Sequence, residues 1–346
     1  MVDYFSDTNT NPSPAMRQYM AQAPVGNEVA GEDPTVNALV DKTKTLLGKE
    51  AAMFLPSGAM CNSIAFRVLC QRPGDIILLD KSAHPVHCSA GMVPSLANAS
   101  LHLLNGQRGI FSVEEVRNLL AKPKGRNLPA YRVVAVEQPT NYGGGAIWAL
   151  EDLNQLCHLA HQEGLFTHMD GARLWHAVVA TGIAAAAYAK NFDAVWVDFS
   201  KGLGAPMGAV LAGSQSLIEE AWYYKFQQGG GMHQAGILAA GCLYGLAHNM
   251  RRLKDIHAIT QGLAHELAKL DFICIDPKQV VTNIIIFSLR HPTMDAPEFA
   301  KKLLRHAIRV LAIDQDQIRM ILHLDITAQD VQRTLVIFKK IGHKKG

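Results

Sequence analysis

The sequence predicts an α/β fold: a mostly parallel sheet covered by helices on both faces, followed by a smaller α+β domain. Three observations carry that expectation. Short apolar runs alternate with helix-period stretches through about the first 240 residues, the pattern of parallel strands joined by crossover helices. Past that point the texture changes to one long helical stretch and then a shorter mix of strands and helices. A chain of 346 residues is also longer than one hydrophobic core usually serves.

The elements follow in order. The polar opening, MVDYFSDTNTNPSP, reads as an N-terminal arm over residues 1–14; with no apolar stretch it does not read as a secretory signal. Ser57-Gly58-Ala59 opens a helix over 58–70. DIILLD (75–80), ASLHLL (99–104), RVVAVEQP (132–139), GLFTHMD (164–170), DAVWVDFS (193–200) and MGAVLAG (207–213) read as buried strands. Between them SVEEVRNLLA (112–121) is a helix capped by Ser112, and ALEDLNQLCHLAHQEG (149–164) one that ends at Gly164. These elements make a large domain over 15–240. A long helical stretch at roughly 234–270 leads into a small domain over 241–346, built from FICIDP, TNIIIFSL, APEFAKKLLRHA, IRMILHLDIT and AQDVQRTLVIFKKI.

Composition excludes several classes. The chain is 49% hydrophobic and 18% charged, which suits a folded globular protein. A net charge of +3, with no basic run beyond the frayed-looking tail HKKG, argues against a nucleic-acid binder. Six scattered cysteines without a CxxC pair point to reduced thiols and a cytoplasmic setting. No run of about 18 apolar residues is present to cross a bilayer. No GxGxxG follows a strand and no Walker lysine occurs, so dinucleotide and nucleoside triphosphate sites are disfavoured.

In open α/β sheets ligands sit at the carboxyl ends of the strands, and three loops there carry unusual chemistry. In HMDGAR (168–173), Asp170 ends an apolar strand and Arg173 follows; alone, the commoner reading is an internal Asp–Arg pair. In DFSKGLGAP (198–206), Lys201 stands at a strand end beside glycines. It is either a lysine snorkelling from a loop or an amine desolvated to attack a carbonyl. In LPSGAMCN (55–62), Ser57 and Gly58 open a helix, either as an ordinary cap or as an anion cradle. Together the loops ask for a phosphate, a ring nitrogen that needs a carboxylate, and an aldehyde. Pyridoxal 5′-phosphate (PLP) has all three.

At these residues the chain resembles the low-specificity L-threonine aldolases, PLP enzymes of the aspartate-aminotransferase-like fold type I. The resemblance spans almost the whole length, through SDTNTNPS (6–13), PVGNEVAGEDPTVNAL (24–39), SAHPVHCSAG (82–91), HMDGAR, SKGLGAPMGAVLAG (200–213), GGGMHQAGILAA (229–240) and RMILHLDIT (319–327). It implies a seven-stranded-type sheet and assigns roles residue by residue. Lys201 would hold PLP as a Schiff base, Asp170 would pair with the ring nitrogen, and His84 would stack on the ring. Ser57, Gly58, Ala59 and Ser200 match phosphate contacts, and Arg173 also faces the cofactor. Arg173, Arg319 and Ser6 match the positions that hold the substrate carboxylate. No metal is implied, and His87, three residues after His84, reads as an ordinary polar histidine. A homodimer or homotetramer with shared active sites is implied too, His233 reaching a neighbour's phosphate.

The reaction implied is retro-aldol: a β-hydroxy-α-amino acid loses its Cα–Cβ bond, giving glycine and an aldehyde, with His84 the best-matched base. The chain departs from the family pattern at Ala30, where a Tyr is usual, at Thr140, in the substrate pocket where a His is usual, and at His233, in place of Arg. Ala59 and Ser89 are lesser departures. A larger, less polar pocket is therefore expected, which would admit threonine, allo-threonine or a bulkier analogue such as phenylserine. The alternatives are a PLP-dependent β-eliminating lyase and, more distantly, a non-catalytic binding protein of the same fold.

Overall fold

The computed structural model describes residues 1–122 and 125–342; the tail HKKG lies outside the described residues. Seven strands form the large sheet: β2 (Ala51–Leu55), β3 (Ile76–Asp80), β4 (Ser100–Leu104), β5 (Tyr131–Glu137), β6 (Phe166–Gly171), β7 (Ala194–Asp198) and β8 (Ala209–Gly213). Their order is β2-β8-β7-β6-β5-β3-β4. The pairs among β3 to β7 are parallel, and β8 alone runs antiparallel to both its neighbours, β7 and β2. The α/β class and the mostly parallel sheet are as the sequence predicts.

Two strands differ from the sequence reading. β2 is a strand the sequence reading does not name; AAMFL is rich in the helix formers Ala and Met. Its pairing with β8 and the burial of Met53, Phe54 and Leu55 override that propensity. β4 is not a buried strand: as the last in the order it has one neighbour, and Leu103 stays 44% exposed.

The small sheet is antiparallel, in the order β12 (Leu311–Ala312), β13 (Gln317–Ile321), β10 (Ile284–Leu289), β9 (Ile273–Cys274). The two-residue strand β1 (Val2–Asp3) pairs in parallel with β11 (Ile308–Arg309). Val2 and Tyr4 are buried in the core built by the small sheet and its helices.

The long helical stretch is interrupted. Helix Gly236–Tyr244 passes through a π turn, Gly245–Asn249, and a 3₁₀ turn, Met250–Arg252, before helix Leu253–Leu267. Asn249 Nδ2 donates to the Leu203 carbonyl at 2.8 Å, so the break grips the loop that carries Lys201. Ala239 and Cys242 before it and Leu246 within it join the large core, and Ile256, Leu263 and Leu267 after it join the small one. Among the described residues no helix is long and apolar enough to cross a membrane.

Candidate active site

The parallel register puts Glu137 of β5, Asp170 of β6 and Trp196 of β7 in one row near the carboxyl edge of the sheet. Beyond that row lies a cleft of about 230 Å³. Its walls include the row itself with Lys201, the start of helix Gly58–Leu69, the turn at His84, the segments after β5 and β6 with Asn141, Tyr142 and Arg173, and Ser6 and Arg319.

Asp170 is held on both oxygens. Oδ1 accepts from the Ala172 N–H at 3.0 Å and Oδ2 from Asn62 Nδ2 at 2.9 Å. Asn62 Oδ1 in turn accepts from Trp196 Nε1 at 2.7 Å and lies 2.8 Å from His168 Nε2. With Asn62 Nδ2 turned to Asp170, the atom facing His168 is the amide oxygen, which can only accept, so His168 must be the donor there, with its proton on Nε2. Burial pushes His168 down to about 3, so it stays neutral. The Trp196 ring packs under the helix start, and a Cβ on Gly58 would fall 2.1 Å from it. Only glycine fits there. The first-turn N–H groups of Gly58 and Ala59 have no acceptor of their own in a helix, and both residues line the cleft, while the Ser57 hydroxyl caps the Met60 N–H at 3.3 Å.

Lys201 follows β7 with its Nζ 3.2 Å from Asp198 Oδ2 and 5.5 Å from the Trp196 ring centre. Its side chain is only 18% exposed, which excludes the snorkelling alternative. Gly202 next to it has φ 85, and a Cβ there would strike His176 Nε2 at 2.5 Å. The Ser200 hydroxyl is turned onto Asp198 Oδ1 at 2.5 Å and does not face the cleft in this arrangement.

The Asp–Arg pairing inside HMDGAR is not what forms. Arg173 makes a bidentate pair with Asp7, at 2.7 Å on both oxygens, while Asp170 is satisfied by neutral donors. Arg173 holds the Asp7 carboxyl well below the usual carboxylate range despite complete burial. Arg319 is buried as well: Nη1 donates to Asn141 Oδ1 at 2.8 Å, the guanidinium lies 5.0 Å from the Tyr142 ring centre, and Nε has no partner. Burial and then the nearby Arg173 both push Arg319 below its ordinary value. Two guanidiniums repelling each other across a half-closed cleft call for an anion between them.

His84 begins a single helical turn, His84–His87, and its ring faces the cleft. Burial lowers it below its ordinary value, Asp170 opposes that, and Lys201, Arg173 and Arg319 add to it. Glu137, buried at the cleft floor, is pushed up to about 7, first by burial and then by Asp170.

Besides Ser200, four residues named from the sequence lie elsewhere. Thr140 does not line the cleft: it is buried, and its hydroxyl accepts from the Ala146 N–H at 3.1 Å, closing its own turn. Its neighbours Asn141 and Tyr142 take the place in the wall. His233 is exposed on the loop before helix Gly236–Tyr244, outside its own chain's cleft, and Ala30 is exposed as well. His87 Nε2 lies 2.8 Å from the Lys81 carbonyl. Conversely, Asp7, Asn62, Glu137 and Trp196 drew no assignment from the sequence. The signal for Glu137 was an acid closing the apolar run RVVAVE; for Asn62 it was an amide on a helix otherwise apolar, GAMCNSIAF.

The donors fit PLP: an amine, a carboxylate fixed by neutral donors, a helix start cleared by Gly58, and an imidazole beside them. Comparison with known proteins agrees. The family described as Beta-eliminating lyase matches residues 3–290. Low-specificity L-threonine aldolase 1 of Arabidopsis thaliana is 34% identical over 342 residues, covering 98% of this chain and 96% of that protein. The low specificity L-threonine aldolase of Escherichia coli (strain K12) is 32% identical over 333 residues, covering 96% of each. Among solved structures, the threonine aldolase of Leishmania major superposes with a TM-score of 0.84 at 16% identity, covering 99% of both chains, a likeness of fold.

Proposed function

The chain belongs to the beta-eliminating lyase family, alongside the low-specificity L-threonine aldolases, and we propose that it cleaves β-hydroxy-α-amino acids to glycine and an aldehyde with PLP. The observation that carries the reading is the meeting of Lys201, Asp170 and the paired Arg173 and Arg319 in one cleft. When bound, PLP supplies an electron sink for the pair left on Cα as the Cα–Cβ bond breaks.

The chain's own groups do the rest. Lys201 would carry the cofactor through its Nζ, and Asp170 would keep the ring nitrogen protonated. Gly58 and Ala59 would take the phosphate at the helix start. Arg319 and the Arg173 donor not engaged by Asp7 would bind the substrate carboxylate, with Ser6 beside them, and so turn the Cα–Cβ bond toward the ring. His84, kept neutral at pH 7 by its lowered affinity for protons, would accept the β-hydroxyl proton. Thr140 and Ser200 enter this reading only if their hydroxyls turn from their present partners.

The assembly we propose is at least a homodimer. Phe226, Ile237 and Val29 are 50%, 45% and 39% exposed on the face that carries His233. A Cβ built on Gly231 would lie within 4 Å of both Phe226 and Val29, so these two side chains share one patch. A second copy covering it would bring His233 toward the neighbouring cleft. The unpaired Cys88 and Cys274, both exposed, suit a reducing, cytoplasmic setting. A division into a domain over 15–240 and one over 241–346 is part of this reading; the separate core of the small sheet and its helices supports it, although Cys242 and Leu246 still pack into the large core.

Product analysis tests the reaction. Threonine, allo-threonine and phenylserine should each release glycine and the matching aldehyde, and Lys201→Ala should abolish release. Pyruvate and ammonia instead would assign the chain to β-elimination. Protein that stays colourless with added PLP would make it a binding protein.

A further inference from the structure

We infer that Glu137 is a positioning residue whose one carboxylate sets both the imidazole facing the cofactor and the guanidinium facing the substrate carboxylate. The inference rests on the reading of the cleft just given. Glu137 Oε1 accepts from the His84 backbone N–H at 2.6 Å. Its Oε2 accepts from the Asn141 backbone N–H at 3.0 Å, and the Asn141 side chain receives Arg319 Nη1 at 2.8 Å. One buried group thus stands behind two functional side chains, His84 on its helical turn and, through Asn141, Arg319 on β13.

Local structure explains why a distant carboxylate is needed. The turn His84–His87 is preceded by Ala83, which has no side chain to cap it. Glu137 supplies the missing acceptor for a first-turn N–H from across the sheet. At Asn141 it does the same for a sharp turn that must aim the amide at Arg319. With each oxygen taking one N–H, the ionised group has an acceptor for both. An amide, or a carboxyl protonated on one oxygen, offers one acceptor and one donor, so one of the two N–H groups is left facing a donor. The charge state of Glu137 and the geometry of the cleft are therefore linked.

Asp170 faces Glu137 from the adjoining strand and opposes ionisation; Arg173 favours it, and Tyr142 stands on the same wall. His84, Lys201, Cys88 and Arg319 complete the titratable and charged groups on the cleft. Burial with this balance puts Glu137 at about 7, so its change of form falls in the neutral range.

The test uses full-length protein and two binding measurements that need no cleavage: PLP affinity from titration of the apoprotein, and glycine affinity from spectral titration of the loaded protein. For wild type, glycine affinity should weaken as pH falls through about 7, where the carboxylate gains its proton. Glu137→Gln should weaken PLP and glycine each by about tenfold, the scale of one lost hydrogen bond to a charged group, and should lose that neutral limb. Asn141→Ala cuts only the arm to Arg319 and should weaken glycine while leaving PLP affinity unchanged. A Glu137→Gln protein with wild-type affinities and an intact neutral limb overturns the inference. Should that variant not fold, Asn141→Ala decides: weakened glycine alone supports the arm, and unchanged glycine overturns it. If no β-hydroxy amino acid is cleaved at all, the proposed reaction fails while these binding differences still stand.

Discussion

Two buried ion pairs tie the first thirty or so residues to the large sheet, and they differ in what they leave over. Glu28 pairs with Lys225, whose Nζ also donates to the Phe54 carbonyl at 2.9 Å and sits 4.2 Å from the Trp222 ring centre. That lysine is fully buried and every direction around it is used. Asp7 pairs with Arg173 through Nε and one Nη, and the other Nη is left over at a cleft. The sealed pair fixes one loop against one helix. The open pair holds a charge in place and still has a donor to give. A buried ion pair is weak evidence of stability in itself, so what separates the two is the unspent donor.

The sealed pair should show the larger stability effect. Lys225→Met leaves the Glu28 carboxylate buried without its cation, and we expect a loss of about 3–5 kcal/mol in urea unfolding. Adding Glu28→Leu should recover more than half of that loss, since an apolar pair of similar volume replaces two ions. A single variant within about 1 kcal/mol of wild type would break the comparison, because the pair would then not govern folding.

The open pair should separate activity from stability. Arg173→Lys keeps a cation beside Asp7 but cannot both pair with it and reach a ligand in a planar fork. We expect KM for threonine to rise about 10–100-fold with a stability cost of only about 1–2 kcal/mol. Equal losses on both measures would make Arg173 as structural as Lys225.

Much of the site was legible because its chemistry sits in short contiguous motifs. HMDGAR and SKGLGAP announce an acid, a base and an amine at strand ends, and the register of β6 and β7 brings them together as expected. What stayed hidden were partners far apart in sequence. Nothing local in SDTN says that Asp7 will meet Arg173, 166 positions away. Nothing in GAMCN says that Asn62 will hold Asp170, since each bond is decided by the packing of helix on sheet. Strand β2 was missed for the complementary reason: AAMFL has helix-forming residues, and only its place beside β8 makes it a strand.

The smallest effect concerns pH, where two buried carboxyls, Glu137 on the cleft floor and Asp7 behind Arg173, should pull in opposite directions. Asp7 is held below the usual range in the folded protein, so its contribution is present above the unfolded value and is lost as pH falls through the folded one. Glu137 is raised to about 7, so its contribution is present below the ordinary carboxyl range and is lost as pH rises toward about 7. Unfolding free energy measured from pH 4 to 8 should therefore decline less steeply, or rise more, in Glu137→Gln than in wild type. The difference between the two proteins isolates Glu137 from His84, whose lowered value acts with the opposite sign in the same window. Asp7→Asn should leave that neutral window alone and flatten only the acid limb, since the donor Arg173 then pairs with a neutral amide. Identical neutral slopes in wild type and Glu137→Gln would mean that Glu137 stays ionised in its site, with the two N–H groups outweighing burial and Asp170.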